Sequence, residues 1–239
     1  MRRRFFVEQF ESDRALLEGD AAHHLGRVLR ARAGQFYELS DGQRVYLGRI
    51  ESIGRGRIEF ALLEELPGTD SCLNVTLLLA VVKFDSFEWA IEKATELGVN
   101  AIVPLAAARS EKALLTVAPK RADRWKKILL EASQQSRRVR VPSLTLLAKP
   151  ESAFAAHKNG LCVMFSERAD APPIRKILGG QTESKATLAI GPEGGWTDSE
   201  FEAAQRAGFQ EVSLGRLILR TETAVVAALA SVNFALGSE

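Results

Sequence analysis

Cysteine is scarce: Cys72 and Cys162 are the two thiols among 239 residues. That is too few for a disulfide framework or a thiolate zinc site, and neither belongs to a CxxC pair. Histidine is scarcer than a metal site needs. His23 and His24 are adjacent, hence on different faces of any helix, and His157 is remote in sequence, so no metal triad follows and none is expected. There is no uncharged apolar run long enough to span a bilayer. The basic start "MRRRFFVEQFESD" turns charged again at Glu8 without an apolar stretch, so it does not read as a signal peptide. A reducing, cytoplasmic setting without membrane contact is the expectation. An excess of one charge is also missing, because 32 Lys and Arg face 30 Asp and Glu for a net charge of +2. Any nucleic-acid contact must therefore come from local clusters. Neither GxGxxG nor a GK[ST] ending is present, which removes dinucleotide and nucleoside-triphosphate readings.

What is there reads as a globular chain with 46% hydrophobic and 26% charged residues, long enough for one large domain or two smaller ones. The texture changes near "LEELPGTDS", Leu63 to Ser71, and a boundary is expected between residues 69 and 70. Before it, the alternating runs "FYEL", "VYLGRIESI" and "RIEFALL" are separated by Asp41-Gly42 and by Gly54 to Gly56. Those are the marks of β-hairpins. Residues 1–69 are predicted to form a small β-barrel with "AAHHLGRVLRA" as its helical insert. Residues 70–239 alternate apolar runs ("NVTLLLAVV", "AIVPL", "LTLL", "LCVMF", "ATLAI", "EVSLG") with helical stretches, which predicts a largely parallel α/β sheet.

Within that second region, "IGPEGGW" joins an apolar run to the helix "TDSEFEAAQRAGF". Thr197 and Glu200 form a capping box there, and Gly208 stops the helix. A glycine turn before a helix usually cradles phosphate. Glu193, in the middle of this one, would repel it. A cationic or neutral ligand with ring edges for backbone groups fits better, and S-adenosyl-methionine meets that description. A tight turn that merely joins strand to helix is the competing reading. The next unit repeats the arrangement: "EVSLG" as strand, "RLILRTET" as loop, then "AVVAALASVNFAL" as a helix started by Thr221 or Thr223. That helix is apolar on nearly every side, which predicts burial against a second subunit.

"IGPEGGWTDSE" followed by "LGRLILRTETAVVAAL" closely resembles the paired C-terminal motifs of the SPOUT methyltransferases, specifically the family that methylates N3 of a uridine in bacterial 16S ribosomal RNA. "RRRFFVE" and "HHLGRVLRARAGQ" resemble its N-terminal PUA-like barrel. "AIEKATELGVNAIVPLAAARS" and "RWKKILLEASQQSRRVRVP" resemble its first catalytic-domain helix and strand and its central helix. The resemblance runs the whole length in the family's order. It implies a trefoil-knotted α/β domain, a homodimer, S-adenosyl-methionine as cofactor, and small-subunit ribosomal RNA or the 30S subunit as partner. The chain departs from the family's pattern at Leu217, Gln134 and Arg137, while Arg138 matches the family's arginine. Another RNA position, a tRNA, or a non-catalytic ribosome-associated RNA-binding protein of the same fold stay open as alternatives.

The cofactor is expected against Ile190, Gly191 and Gly195, against Leu214, Ile218, Leu219 and Thr223, and against the strand end at Phe165 and Glu167. Methyl transfer is an in-line displacement that needs alignment, and the uridine N3 proton must leave. Arg138, Arg220 and Glu222 are the candidate catalytic residues. Glu222 also suits the helix dipole, and Arg220 also suits a carboxylate across a dimer. The RNA surface is expected at Arg2, Arg3, Arg4, Arg27 and Arg30, with Arg27 and Arg30 sharing one helical face.

Overall fold

In the computed structural model, residues 3–68 and 73–237 are described. Arg2, Cys72 and the expected boundary at 69/70 lie outside them. The chain divides into two units, residues 1–70 with 133–141, and residues 71–132 with 142–239.

The first unit is a six-stranded curled sheet: β1 (Arg4–Phe6), β2 (Phe10–Glu11), β3 (Arg14–Glu18), β4 (Phe36–Ser40), β5 (Val45–Gly54) and β6 (Arg57–Leu66), in the order β1-β4-β5-β6-β3-β2. The hairpin signals act as read. Asp41 Oδ1 accepts the backbone N–H groups of Gln43 and Arg44, and Gly42 takes φ +85°, a turn conformation that costs glycine nothing. β5 and β6 bend at bulges beside Leu47/Gly48 and Ile50/Ser52. At Gly48 a Cβ would stand 2.6 Å from the Leu39 side chain, so the bare backbone lets the sheet fold over its own core. Phe5, Leu17, Leu25, Leu39, Ile50, Ile58 and Phe60 fill that core. Each contributes about 1.5–3 kcal/mol through burial.

The helical insert departs from its prediction. It runs as α1 (Gly19–His23) and then widens into a π turn over His24–Val28. Arg30 lies past the end at φ +51°, so Arg27 and Arg30 do not share a helical face. A larger surprise is the segment 133–141, which belongs to this unit. Ser40 Oγ donates to the Val139 carbonyl at 2.6 Å, and Arg4 Nη1 donates to the carbonyl of Arg137.

The second unit is a parallel sheet of β7 (Asn74–Ala80), β8 (Ala101–Leu105), β9 (Ser143–Leu144), β10 (Leu161–Phe165), β11 (Lys185–Ile190) and β12 (Gln210–Val212), in the order β12-β10-β11-β7-β8-β9. Of the predicted run "LTLL", Leu144 lies in a strand, the two-residue β9. The helices are α2 (Phe84–Glu96), α3 (Lys112–Val117), α4 (Ala122–Gln135), α5 (Pro150–Ala156), α6 (Arg175–Leu178), α7 (Asp198–Arg206) and α8 (Thr221–Leu236). β10 is buried along its whole length, as a strand covered on both faces must be. One face packs Leu78, Val103, Met164 and Ala189 against Phe154, Trp196, Ala204 and Phe209. α2 packs against α8, and α8 against β11; Asn233 Nδ2 in α8 ties down the Leu97 carbonyl at 2.7 Å. In α4, Trp125 is buried against Phe87 at 4.5 Å between ring centres.

Candidate functional site

Three neighbouring strands, β12, β10 and β11, end at the same edge of the parallel sheet. Phe165 stands level with Val212, and Ile190 follows one step beyond the Met164–Ala189 pair. Ligands bind at such carboxyl edges because the loops that leave them diverge and expose backbone groups. Here the loops enclose a cleft lined by Phe165 and Glu167, by Ile190, Gly191, Glu193 and Gly195, and by Leu214, Leu217, Ile218, Leu219, Thr221 and Ala224.

The glycine turn is held on both flanks. Gly195 N donates to the Pro192 carbonyl at 2.8 Å, and Arg109 Nη1 donates to the Gly194 carbonyl at 2.7 Å. Gly195 takes φ +69°, and a Cβ there would run into Glu167 Oε1. A Cβ on Gly191 would press against the Trp196 ring at 3.0 Å. Gly195 is therefore required by conformation, and Gly191 is crowded by the indole. Trp196 is buried and donates Nε1 to the Phe165 carbonyl at 3.0 Å, which pins the turn to the end of β10. The predicted capping box is present in α7: Glu200 Oε2 accepts Thr197 N at 2.8 Å. Its other oxygen accepts Ala108 N at 2.9 Å, so this buried carboxylate also anchors the loop after β8.

Of the sequence candidates, Phe165, Glu167, Ile190, Gly191, Gly195, Leu214, Ile218 and Leu219 line the cleft, and Thr223 does not. Thr223 is exposed in the first turn of α8, whereas Thr221 is buried and donates Oγ1 to the Gly191 carbonyl at 3.2 Å. The helix starts at Thr221 with Arg220 as its N-cap, earlier than a start at Thr223 would require. Arg220 is exposed beside the cleft loop, and Glu222 is half-buried in the first helical turn; neither is among the lining residues. Sequence reasoning missed Trp196 and Ala224. The Trp196 signal was present in "GPEGGW", an aromatic directly after a turn.

The arginines separate. Arg4 is a correction: it is only 3% exposed, and its Nη2 and Nε reach Glu38 Oε2 at 2.9 and 3.2 Å. β-strand alternation sets it on the face opposite Phe5, where Glu38 and the carbonyl of Arg137 engage it, so it is structural in this unit. Arg3 is exposed, with Nη1 3.3 Å from His24 Nε2; Arg27 and Arg30 are exposed too. Arg138 is buried in the segment 133–141 and donates Nε to the Arg140 carbonyl at 3.1 Å. Among the described residues no group of three His, Cys, Asp or Glu is placed to hold a metal ion, and no helix is long and apolar enough to cross a membrane. Cys162 is buried, which pushes its thiol pKa up.

The model of an RNA methyltransferase domain matches residues 69–233, and that of an RNA methyltransferase PUA domain matches residues 17–63. A ribosomal RNA small subunit methyltransferase E from Synechocystis sp. is 36% identical over 90% of this chain and 71% of its own. The Mycobacterium bovis protein of the same name is 32% identical over 92% and 86%. A crystal structure of ribosomal RNA small subunit methyltransferase E from Neisseria gonorrhoeae bound to S-adenosyl methionine superposes with a TM-score of 0.89, at 32% identity and over 99% of both chains.

Proposed function

The chain belongs to the RNA methyltransferase family, and on that premise we propose that it transfers a methyl group from S-adenosyl-methionine to N3 of a uridine in 16S ribosomal RNA. The observation that carries the reading is the glycine cleft at the end of β10, β11 and β12. Its residues suit this cofactor. Phe165, Leu214, Ile218 and Leu219 offer apolar surface for a purine ring, and the turn from Gly191 to Gly195 offers close backbone approach. The carboxylates of Glu167 and Glu193 favour a cation and disfavour a phosphate. When bound, the cofactor supplies a methyl group on a sulfonium.

The chain's own residues have three tasks. Phe165, Gly191 and Leu219 hold the donor still, and Thr221 fixes the Gly191 loop to α8, so that alignment is built before the substrate arrives. Glu222, half-buried in the first turn of α8, is the carboxylate assigned to receive the N3 proton. Arg220 belongs to the same proposal, as a cation that stabilises the N3 anion. The loop itself argues for a homodimer. The cleft's volume is only about 90 Å³, less than the ~300 Å³ at the lower end of ligand pockets. Leu217 and Ile218 on its rim are 82% and 83% exposed, and Phe234 of α8 is 93% exposed. A second copy that covers these residues would close the cleft and remove apolar surface from water. Val225 and Leu229 are fully buried within the chain, so they serve its own core. The trefoil knot, the 30S subunit as partner and a cytoplasmic location complete the proposal.

The test is to titrate S-adenosyl-methionine by calorimetry, then methylate naked 16S RNA and 30S subunits and map the modified nucleotide. Saturable binding with one uridine N3-methylated is the expected outcome. Failure to bind the cofactor would favour a non-catalytic RNA-binding protein of the same fold, and methylation elsewhere would replace the substrate.

A further inference from the structure

The first unit carries a groove that methyl transfer does not account for. It is bounded by Arg3, Phe36 and Tyr37 on one side and by Gln134, Gln135 and Arg137 on the other. Its volume of about 800 Å³ lies within the ~300–1,000 Å³ of ligand pockets. Phe36, the first residue of β4, is 42% exposed, and Tyr37 beside it is partly buried against Phe5 and Phe60. An aromatic ring at the mouth of a groove lined by amides and guanidinium groups, with no carboxylate among the lining residues, is suited to one class of ligand.

The local charge points the same way. Glu38 is the acid of the cluster, and it already serves two cations: Arg4 at 2.9 Å and Arg137 at 3.5 Å. Arg3 adds an exposed guanidinium to the groove's lining. Arg137 also holds φ +57°, a left-handed conformation that costs a side-chain-bearing residue about 1 kcal/mol. A strained backbone position that keeps a cation at the edge of a groove is better suited to a function than to packing.

We propose that this groove binds one unpaired nucleotide of the RNA substrate, with its base stacked on Phe36, its edge facing Gln134 and Gln135, and its flanking phosphates near Arg3 and Arg137. Single-stranded RNA is recognised in this way, by aromatic platforms and arginine planes beside a cationic track. The proposal rests on the reading of the chain as an RNA methyltransferase, and places the groove in the other unit from the cofactor cleft.

The probe is a fluorescent octauridylate, titrated into the full chain at several salt concentrations. Phe36→Ala should weaken binding about ten-fold, as the loss of one stacked base predicts. Phe36→Leu should behave as Phe36→Ala does, and Phe36→Trp should restore affinity. Arg137→Gly suits the left-handed backbone and keeps the carbonyl that Arg4 holds, so the fold persists. The slope of log K against log salt should then fall by about 0.7, the share of a single phosphate that is no longer neutralised. Unmodified affinity in Phe36→Ala and Arg137→Gly overturns the groove even where cofactor binding and RNA methylation proceed. Normal affinity in Phe36→Leu overturns stacking as its basis. If the expected losses occur in a protein that binds no cofactor, the groove stands and the catalytic reading falls instead.

Discussion

The glycine cleft and the arginine cluster of the barrel unit differ in how residue type relates to role. In the cleft the role follows from the residue itself. Gly195 stands at φ +69°, where L side chains are strained whatever the space, so its place in the chain already announces its use. In the barrel unit Arg3 and Arg4 are identical neighbours with opposite roles, one exposed and the other only 3% exposed and bound to Glu38. A backbone requirement is written locally, whereas the fate of a long charged side chain is set by what the fold brings to it.

The comparison breaks most sharply if the two arginines can be exchanged. Arg4→Ala leaves Glu38 buried with a single, more distant cation, and removal of a buried partner of this kind costs about 3–5 kcal/mol. Arg3→Ala should stay within about 0.5 kcal/mol of the unmodified protein, as exposed positions do. Urea unfolding measures both, and equal stabilities would show that burial of Arg4 has no energetic consequence. Next in size is Gly195→Val. The substitution forces a β-branched residue into a left-handed turn beside Glu167, and should weaken S-adenosyl-methionine binding about 100-fold, or ~2.7 kcal/mol, with the two units still folded. Calorimetry that returned the unmodified affinity would remove the turn from the cofactor site.

Thr221→Val tests the link from α8 to the cleft. Without the bond to the Gly191 carbonyl the protein should be less stable by about 1 kcal/mol and bind cofactor more loosely, by a smaller factor than in Gly195→Val. A variant as stable as its parent would make the 3.2 Å contact incidental. The smallest effect is expected for the exposed pair Arg27 and Arg30 changed together to Gln. Stability should not move, and the salt slope of RNA binding should drop by about 0.7–0.9 for each phosphate these arginines neutralise. An unchanged slope would take both residues out of the RNA surface and leave Arg3 and Arg137 as its cations.

Much of this was legible beforehand because local rules govern it. Hairpins announced themselves by alternation and by Asp41-Gly42. The parallel strands showed as apolar runs, and the capping box of Thr197 and Glu200 named both its members. Eight of the nine expected cofactor residues line the cleft, since loops that leave adjacent parallel strands at one edge have little choice of direction. Thr223 lies outside the lining because a shift of two positions at a helix start turns a side chain from the cleft to solvent. Trp196 was not named, because its hydrogen bond runs to Phe165, 31 residues earlier in the chain.

The sequence by itself determined where the backbone turns, which strands are covered on both faces, and which helix is capped. Those properties depend on φ preferences, side-chain volume and hydrogen-bonding groups within a few residues of one another. Only the tertiary structure decided that Arg4 is buried and Arg3 is not, that Glu200 reaches Ala108, that Val225 and Leu229 face the chain's own core, and that residues 133–141 join the barrel unit. Each of these joins groups 34 or more positions apart, or turns on which side of an element the remainder of the chain covers. Residue type does not carry that information: a guanidinium is stable in water and stable against a carboxylate, and the fold alone selects between them.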